Sequence, residues 1–249
     1  DSKEYGISSL DMLKGFLSGL HAGNYDITNV YIDNLYKTIG NDRAIGESFI
    51  LWCAEFAKAN DIGFAVVAPD DPLVLGAVDE LSKLGIPCFG PEKKAAIIEG
   101  SKAFSKDLMK KYGIPTAAYE VFDDAEKALA YLADAPIPTV IKADGLALGK
   151  GVIIAQTREE AKQAVVDMME GGIFGKSGST VVIEEFLTGP EVSVLAFTDG
   201  NVVKPMVSSM DHKRIGDHDT GLNTGGMGTV APNPYYTSDV ADVCMKEIF

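Results

Sequence analysis

The stretch Ile141-Lys-Ala-Asp-Gly-Leu-Ala-Leu-Gly-Lys-Gly-Val152 joins two predicted strands, 139–142 and 151–155, through a glycine-rich loop with a lysine near each end. A lysine that ends an apolar strand buries its stem and directs its ammonium into a cleft, as a phosphate partner requires. The spacing differs from a Walker A loop, because no Gly-Lys-Ser/Thr opens a helix. Taken alone, the same residues also suit an ordinary hairpin.

A β-α-β-β-α-β pattern surrounds this loop. Two further strands are predicted at 119–122 and 180–184, and two similar helices follow Asp124 and Thr157, residue types that cap helix N-termini. The pattern therefore repeats strand and capped helix twice, which indicates a small α+β unit.

A βαβ unit is predicted upstream of this pattern. The apolar runs 64–68 and 86–89 indicate buried parallel strands, and 73–84 indicates the helix between them. Ligands of open α/β sheets bind at the carboxyl ends of strands. Asp70 and Pro72, which follow the first strand, are therefore candidate site residues.

Helical periodicity dominates the remaining N-terminal part. Leucines from Leu10 to Leu20 form one apolar face behind Ser8 and Ser9, and Val30, Leu35 and Ile39 continue with similar spacing. Further helices are predicted at 49–59, at 101–112 and after Thr237, and a hairpin at Asp199-Gly200.

Two other segments could contact a nucleotide. Phe174-Gly-Lys-Ser-Gly178 is a second glycine loop, suited to closing over phosphates. In Val181-Val-Ile-Glu-Glu-Phe-Leu187, edge backbone groups at the two acids are candidates for hydrogen bonds to a purine, with Phe186 and Leu187 covering its face. The alternative for the second segment is a solvated strand end.

Residues 210–228 are polar and glycine-rich, and nothing in them predicts a helix or a strand. Long loops of this kind are usually functional or disordered. Glycines let backbone N–H groups approach a ligand, and Lys213 and Arg214 supply charge suited to phosphate or carboxylate. A solvated, mobile loop is the alternative.

Composition excludes several classes of protein. The formal net charge of −14 argues against a broad nucleic-acid or anionic-membrane surface. Cys53, Cys88 and Cys244 are far apart and indicate free buried thiols in a reducing cytoplasm. No apolar run approaches the roughly 18 residues of a membrane span, and no signal peptide is recognisable at the start.

From about residue 54 onward the chain resembles the glycinamide ribonucleotide synthetases (phosphoribosylamine–glycine ligases), which are ATP-grasp enzymes. The segments that carry the resemblance are Pro69-Asp-Asp-Pro-Leu73, Phe89-Gly-Pro91, Glu99-Gly-Ser-Lys-Ala-Phe104, Gly113-Ile-Pro-Thr-Ala117, Lys142-Ala-Asp-Gly145, Gly149-Lys-Gly-Val152, Glu184-Glu-Phe-Leu187, Asp211-His-Lys-Arg214 and Asn223-Thr-Gly-Gly-Met-Gly228.

The resemblance implies an α/β chain with an α+β lid. It is expected to hold a partial ATP-grasp fold and the end of a Rossmann-like preceding domain. The expected divisions are a helical segment of unknown origin at 1–46, the remainder of the preceding domain at 47–116, a lid at 117–187 and the incomplete start of the core subdomain at 188–249.

The implied reaction joins glycine to 5-phosphoribosylamine through glycyl phosphate, with ATP as phosphate donor. By resemblance the nucleotide is bound by Lys102, Lys142, Gly149, Lys150, Gly151, Glu184, Glu185, Phe186, Leu187 and Glu191, with adenine at 184–187 and ribose at Glu191.

The resemblance also implies the catalytic and substrate-binding residues. Asp211 would engage the glycine amine, and Lys213 and Arg214 would lie around the substrates. The substrate-binding set implied is Asp70, Pro72, Asp211, Thr220, Asn223, Thr224, Gly225, Gly226 and Met227.

Two departures from the family pattern stand out. Residues 1–46 lack the Gly-rich N-terminal turn of the family, and the Glu and Asn that ligate Mg²⁺ are expected beyond Phe249, so no metal ligand is assigned here. Leu222 also stands where proline is usual. We therefore expect the present chain to turn over poorly by itself. The ligase is expected to be a cytoplasmic monomer with no nucleic-acid or membrane partner.

Two alternatives remain open at this point. The chain suits another ATP-grasp carboxylate–amine ligase, or a non-catalytic nucleotide-binding module. A dinucleotide-dependent oxidoreductase is disfavoured, since no G-x-G-x-x-G follows a strand.

Overall fold

A computed structural model describes residues 2–24, 26–33, 35, 38, 42–146, 151–171, 175–218, 220–224 and 226–249. The chain divides into two units. Unit 1 comprises Asp1–Ser105, Ala143–Gly151 and Phe174–Ser179, and unit 2 comprises Lys106–Lys142, Val152–Ile173 and Thr180–Phe249. The four-part division expected from the sequence is finer and stays a prediction.

Helices make up most of unit 1. They are α1 (Leu10–Gly23), α2 (Arg43–Ala59), α3 (Asp70–Leu75), α4 (Ala77–Lys83), α5 (Lys93–Gly100) and the first residues of α6 (Lys102–Tyr112). The prediction for α1 is confirmed, because the Ser9 hydroxyl accepts a hydrogen bond from the amide of Met12 at 3.3 Å. The predicted helical continuation through Val30 is wrong, because 27–33 has no regular structure, and Ile39 lies outside the described residues.

The predicted βαβ unit is present in a modified form. Strands β1 (Ala65–Val66) and β2 (Cys88–Phe89) pair in parallel, as predicted. They are buried on one face only, because Ala65 and Cys88 pack against the core whereas Val66 is 64% exposed. A single helix was expected between them, but the structure has two, α3 and α4. Gly76 separates them with a φ of +98°, a backbone conformation that glycine adopts without a Cβ penalty. The sequence analysis did not predict α5.

A four-stranded sheet forms the core of unit 2. Its strand order is β3 (Tyr119–Phe122), β6 (Val181–Glu185), β4 (Thr139–Ala143) and β5 (Val152–Ala155). Helices α7 (Ala125–Tyr131) and α8 (Arg158–Met169) follow β3 and β5, and the N-caps predicted for them are confirmed. Ile141, Met168 and Ile183 are almost fully buried in this core. The mixture of helices and strands expected for this part of the chain is confirmed, and its role as a lid stays a prediction.

The last part of unit 2 contains two hairpins and a helix. Strands β7 (Ala196–Thr198) and β8 (Val203–Pro205) pair antiparallel, which confirms the predicted turn. Strands β9 (Arg214–Gly216) and β10 (Thr220–Asn223) also pair antiparallel, so the prediction of a strand-free 210–228 segment is wrong. The pairing shifts register around Gly221, whose φ is +86°. The two short strands show no regular alternation of apolar residues, so the sequence did not predict them. Helix α9 (Ser238–Glu247) follows Thr237, as predicted.

The three cysteines are free, as predicted, but they are less buried than expected. Cys53, Cys88 and Cys244 are free thiols, and each is half-buried. Burial raises the pKa of the Cys53 thiol to about 12, which disfavours the reactive thiolate. Across the described ranges, no helix combines the length and the apolarity that a bilayer crossing needs.

Candidate active site

Lys102 ties the start of α6 to the first glycine loop within unit 1. Its ammonium donates to the carbonyl of Gly145 at 3.0 Å and lies 3.5 Å from the carbonyl of Asp144. The Asp144 carboxylate in turn accepts from the Ser101 hydroxyl at 3.0 Å and from the amide of Ala103 at 2.7 Å. The loop and the helix start therefore form one hydrogen-bonded structure with a cation in it.

The second glycine loop meets the first one. The amide of Gly145 donates to the carbonyl of Ser177 at 3.5 Å, and the Ser177 hydroxyl donates to the carbonyl of Leu146 at 3.4 Å. Both segments that the sequence marked as phosphate loops therefore contact each other. The sequence predicted the loop that contains Ser177 but gave Ser177 itself no role. A hydroxyl side chain within a glycine loop is the feature that could have indicated one.

Part of the first glycine loop lies outside the described residues. This applies to Gly149 and Lys150, whereas the carbonyl of Gly151 accepts from the amide of Ala143 at 2.8 Å. Lys102 lies in unit 1 and Lys142 in unit 2. A common cleft for the three lysines therefore stays a prediction.

A cavity of about 280 Å³ lies against both loops in unit 1. It is lined by Arg43, Asp71, Val74, Leu75, Gly100, Gly145, Leu146 and Ser177. Asp70 and Pro72, predicted for the site, are not among the described residues that line it. Burial, and then the charge of Asp70, raise the pKa of the Asp71 carboxyl. Asp71 of the Asp-Asp-Pro turn lines the cavity, the roles of Asp70 and Pro72 stay predictions, and no sequence signal marked Arg43.

Glu184 is the centre of a buried charge cluster in unit 2. Its Oε2 lies 2.8 Å from the ammonium of Lys142 and 3.2 Å from that of Lys106. Its Oε1 is buried, and no hydrogen-bond donor from the described part of the chain reaches it. Lys142 and Glu184 were both predicted, but as separate nucleotide contacts. Lys106 was missed, because a helical lysine carries no signal of burial.

One backbone group each of Glu184 and Glu185 is paired within the protein, at the end of strand β6. Strand β6 lies between β3 and β4. The carbonyl of Glu184 accepts from the Thr139 hydroxyl at 2.9 Å, and the amide of Glu185 donates to the carbonyl of Ala118 at 2.8 Å. Phe186 and Leu187 follow the strand, and Leu187 is 63% exposed. Adenine contacts at 184–187 stay a prediction.

Lys213 bridges two predicted site acids. Its ammonium lies 3.0 Å from Oε1 of Glu191 and 3.0 Å from Oδ2 of Asp211. The hydrogen bond from Lys213 lowers the pKa of the Asp211 carboxyl. The hydrogen bonds to Glu191 and then Asp211 raise the pKa of Lys213. The structure therefore brings together three residues that the sequence analysis assigned to ribose and glycine.

The rest of the 210–228 segment makes hydrogen bonds with itself. The Arg214 guanidinium donates to the carbonyl of Gly221 at 2.9 Å. The Thr224 hydroxyl donates to the carbonyl of His212 and accepts from the amides of Gly226 at 3.1 Å and Met227 at 3.3 Å. These contacts hold the turn in one conformation.

The remaining predicted substrate residues fall in the same segment. The Thr220 hydroxyl donates to the carbonyl of Asp217 at 2.7 Å, and Met227 is 62% exposed. Gly225 and the side chain of Asn223 lie outside what the structure describes. Their substrate contacts stay predictions.

The ion pairs of Lys213 predict a pH dependence of stability. The pKa of Asp211 is lowered from its ordinary value of 3.8, so the pair stabilises the fold above that pH and is lost as pH falls through the lower folded value. We expect Lys213→Met to lower the free energy of unfolding by about 0.5–1 kcal/mol at neutral pH, the range of exposed pairs. The difference should vanish at acid pH, as measured by urea denaturation.

Lys162→Met on the exposed face of α8 is the matched control for this prediction. It removes the same charge, and we expect no pH-dependent difference from the parent protein. A Lys213→Met effect that stayed constant down to strongly acid pH would contradict the assignment.

No metal site is evident among the residues that the structure describes. No group of three or more His, Cys, Asp or Glu side chains there is arranged to hold a metal ion. The carboxylates of the site are instead neutralised by lysines. These residues do not fit a magnesium site by themselves.

The comparison with known families assigns this fold to the ATP-grasp class. Residues 100–249 match the family model of the phosphoribosylglycinamide synthetase ATP-grasp (A) domain, and residues 26–99 match the N domain of the same synthetase. The chain belongs to the phosphoribosylglycinamide synthetase family. Residues 26–46, which the sequence analysis left without a family assignment, lie within the N-domain match.

Individual relatives agree with this family. A phosphoribosylamine–glycine ligase from Allochromatium vinosum is 52% identical over 205 residues, covering 82% of this chain and 48% of that relative. The crystal structure of the Thermotoga maritima phosphoribosylamine–glycine ligase is 43% identical with a TM-score of 0.54, covering 57% of this chain and 36% of that one. The chain thus spans about half the length of the curated relatives it matches.

A more distant structure supports the fold alone. N5-carboxyaminoimidazole ribonucleotide synthetase from Thermus thermophilus is 19% identical with a TM-score of 0.55, covering 80% of this chain and 48% of that one. This likeness agrees with the α/β character, and together with the ATP-grasp family model it confirms the partial ATP-grasp fold.

Proposed function

We propose that the complete protein is a phosphoribosylamine–glycine ligase that acts in purine biosynthesis. The glycine carboxylate attacks the γ-phosphorus of ATP, which forms glycyl phosphate and releases ADP. The amine of 5-phosphoribosylamine then attacks the acyl carbon and releases phosphate, which gives glycinamide ribonucleotide. The observation that carries this proposal is the match of residues 26–249 to both domains of one synthetase family.

The two glycine loops of unit 1 support binding of the triphosphate. Lys102 places an ammonium on the first loop, 3.0 Å from the carbonyl of Gly145, and the second loop contacts the first through Ser177. Cations held by preorganised backbone suit a phosphate chain, since they need no reorganisation when charge develops. In a chain of net charge −14, such local cations are what an anionic substrate requires.

The buried cluster in unit 2 contains groups whose chemistry suits a nucleotide. Oε1 of Glu184 is a buried acceptor without a donor among the described residues. Such an acceptor is costly unless a donor arrives, and the exocyclic amino group of adenine is a donor of suitable chemistry. Lys142, beside it at 2.8 Å from Oε2, supplies a cation for a phosphate oxygen.

The ion pairs of Lys213 with Asp211 and Glu191 support binding of glycine. Lys213 keeps Asp211 ionised, and a carboxylate that is ionised at neutral pH suits the ammonium of an amino acid. Lys213 and Arg214 then offer positive charge to the glycine carboxylate, which reduces its repulsion from the triphosphate. Glu191 remains the proposed ribose contact.

The cofactor and surroundings of the enzyme complete the proposal. Mg²⁺ supplies charge neutralisation of the triphosphate when bound, and we assign none of its ligands to this chain. We propose a cytoplasmic monomer that acts on small molecules, with no nucleic-acid or membrane partner.

A coupled assay of ADP release by the complete gene product tests the proposal. ADP should form only when glycine and 5-phosphoribosylamine are both present. Release with a different amino acid or amine would support another carboxylate–amine ligase, and ATP binding without substrate-dependent release would support a non-catalytic module. We expect the 249-residue chain alone to turn over poorly, and efficient two-substrate turnover by it would contradict that expectation.

A further inference from the structure

Lys106 is a buried lysine that the proposed reaction does not use. It is only 7% exposed, and it lies on α6 one turn after Lys102. We propose that Lys106 is a positioning residue of the nucleotide site: it keeps Glu184 charge-paired and in place, so that Lys142 is able to leave Glu184 and bind the nucleotide. The inference rests on the proposed function.

The contacts of the two lysines differ in kind. The Lys106 ammonium lies 3.2 Å from Glu184 Oε2, 2.7 Å from the Thr116 hydroxyl and 3.5 Å from the carbonyl of Ala117. The Lys106 ammonium therefore makes two hydrogen bonds and one ion pair, all inside the protein. The Lys142 side chain is 26% exposed, and among the described residues its ammonium pairs with Glu184. Lys106 is therefore the fixed partner of Glu184, and Lys142 is the partner that is able to move.

Charge balance explains why two lysines serve one carboxylate. The Glu184 side chain is 6% exposed, and a carboxylate buried without a counterion is strongly disfavoured. If Lys142 alone paired with Glu184, its transfer to a phosphate would strand that charge. With Lys106 in place, the carboxylate keeps an ion pair throughout the transfer.

Few other charged or titratable groups face Glu184 in the described residues. From β3, Tyr119 is the register partner of Glu184, and its ring centre lies 5.6 Å from the Lys106 ammonium. The Tyr119 hydroxyl donates to Asp107 at 2.8 Å, and burial and this hydrogen bond raise its pKa to about 12. Helix α8 buries Ala161, Ala164, Val165 and Met168. Tyr119 therefore stays neutral near neutral pH, and Lys106 and Lys142 are the charged groups that the described residues place against Glu184.

Binding of AMP-PNP with Mg²⁺, measured by calorimetry from about pH 6 to about pH 9, tests the inference. We expect the affinity of the parent protein to change by less than about threefold over this range. In Lys106→Met, transfer of Lys142 requires protonation of Glu184, so affinity should fall by at least about tenfold as pH rises. The proton taken up should appear as a binding heat that differs between buffers of different ionisation enthalpy.

Two further variants complete the test. Lys111→Met, an exposed change on the same helix, should behave as the parent protein. Lys106→Met/Glu184→Gln removes both charges, keeps an amide oxygen as acceptor for Lys142, and should restore pH-independent binding even if the single variant folds poorly.

The outcomes separate the two proposals. Parent-like affinity of Lys106→Met at every pH, or the same pH dependence in the double variant, would overturn the role of Lys106 alone. If the parent protein binds no nucleotide, the proposed function fails and this inference fails with it.

Discussion

Replacing Glu184 with leucine should lower the free energy of unfolding by about 3–5 kcal/mol, the usual cost of removing one partner from a buried ion pair. The variant leaves the Lys106 ammonium with neutral oxygens but no counterion, in a side chain only 9% exposed. Lys142 is less affected, because its side chain is 26% exposed and is able to reach water. Equilibrium denaturation in guanidinium at neutral pH measures the effect.

Two comparisons isolate the charge effect from simple loss of packing. Lys106→Met/Glu184→Leu replaces the buried pair with apolar groups, and we expect it to be about as stable as the parent protein. Glu185→Leu changes the exposed neighbour, whose carboxylate accepts from the amide of Ala118 at 3.3 Å. That loss should cost about 1.5 kcal/mol at most. A single Glu184→Leu effect no larger than that of Glu185→Leu would refute the buried cluster.

Local signals explain which parts of the fold were predictable. The β-α-β-β-α-β pattern was predicted almost residue by residue, because each helix starts at a residue that caps its own backbone. The Asp124 carboxylate accepts from the amide of Lys127 at 2.9 Å, and Thr157 forms a capping box with Glu160. Caps act within three residues of chain, so a single sequence contains all the information needed.

Non-local or irregular features account for the errors. The interruption at Gly76 was not predictable from periodicity, since a glycine inside an apolar helical pattern is also compatible with a continuous helix. The β9–β10 hairpin was missed because its strands are only three and four residues long, and one apolar residue in each, Ile215 and Leu222, is too few to show an alternation. The β1–β2 pair, which is buried on one face only, was predicted to be buried because its apolar run is typical of covered strands.

The same difference between local and non-local information applies to the site residues. Lysines and acids at strand ends were recognisable as candidates, because their position after apolar runs is a local property. The sequence did not show that Lys142 and Glu184, 42 residues apart, pair at 2.8 Å. Nor did it show that Lys106 is buried, since that depends on which face of α6 the sheet covers. Residue type therefore indicated the chemistry, and only the tertiary structure showed how the charges are paired.

Replacing Lys142 with alanine should weaken ATP binding by about tenfold to a hundredfold, since a hydrogen bond from a charged group contributes about 1.5–3 kcal/mol. The variant keeps the Lys106–Glu184 pair at 3.2 Å, so the fold should lose far less stability than in Glu184→Leu. The loss of affinity is therefore separable from unfolding. Calorimetric titration with AMP-PNP and Mg²⁺ measures it, and circular dichroism checks the fold.

Lys162→Ala is the matched control for this experiment. It lowers the positive charge by the same amount on the exposed face of α8, so it reproduces any long-range electrostatic effect without touching Glu184. We expect its affinity for the nucleotide to stay within about twofold of the parent value, because exposed charges are screened by salt. If Lys142→Ala also bound with unchanged affinity, Lys142 would be only a second counterion of Glu184, and the other proposed nucleotide contacts, such as Lys102, would have to bind the phosphates.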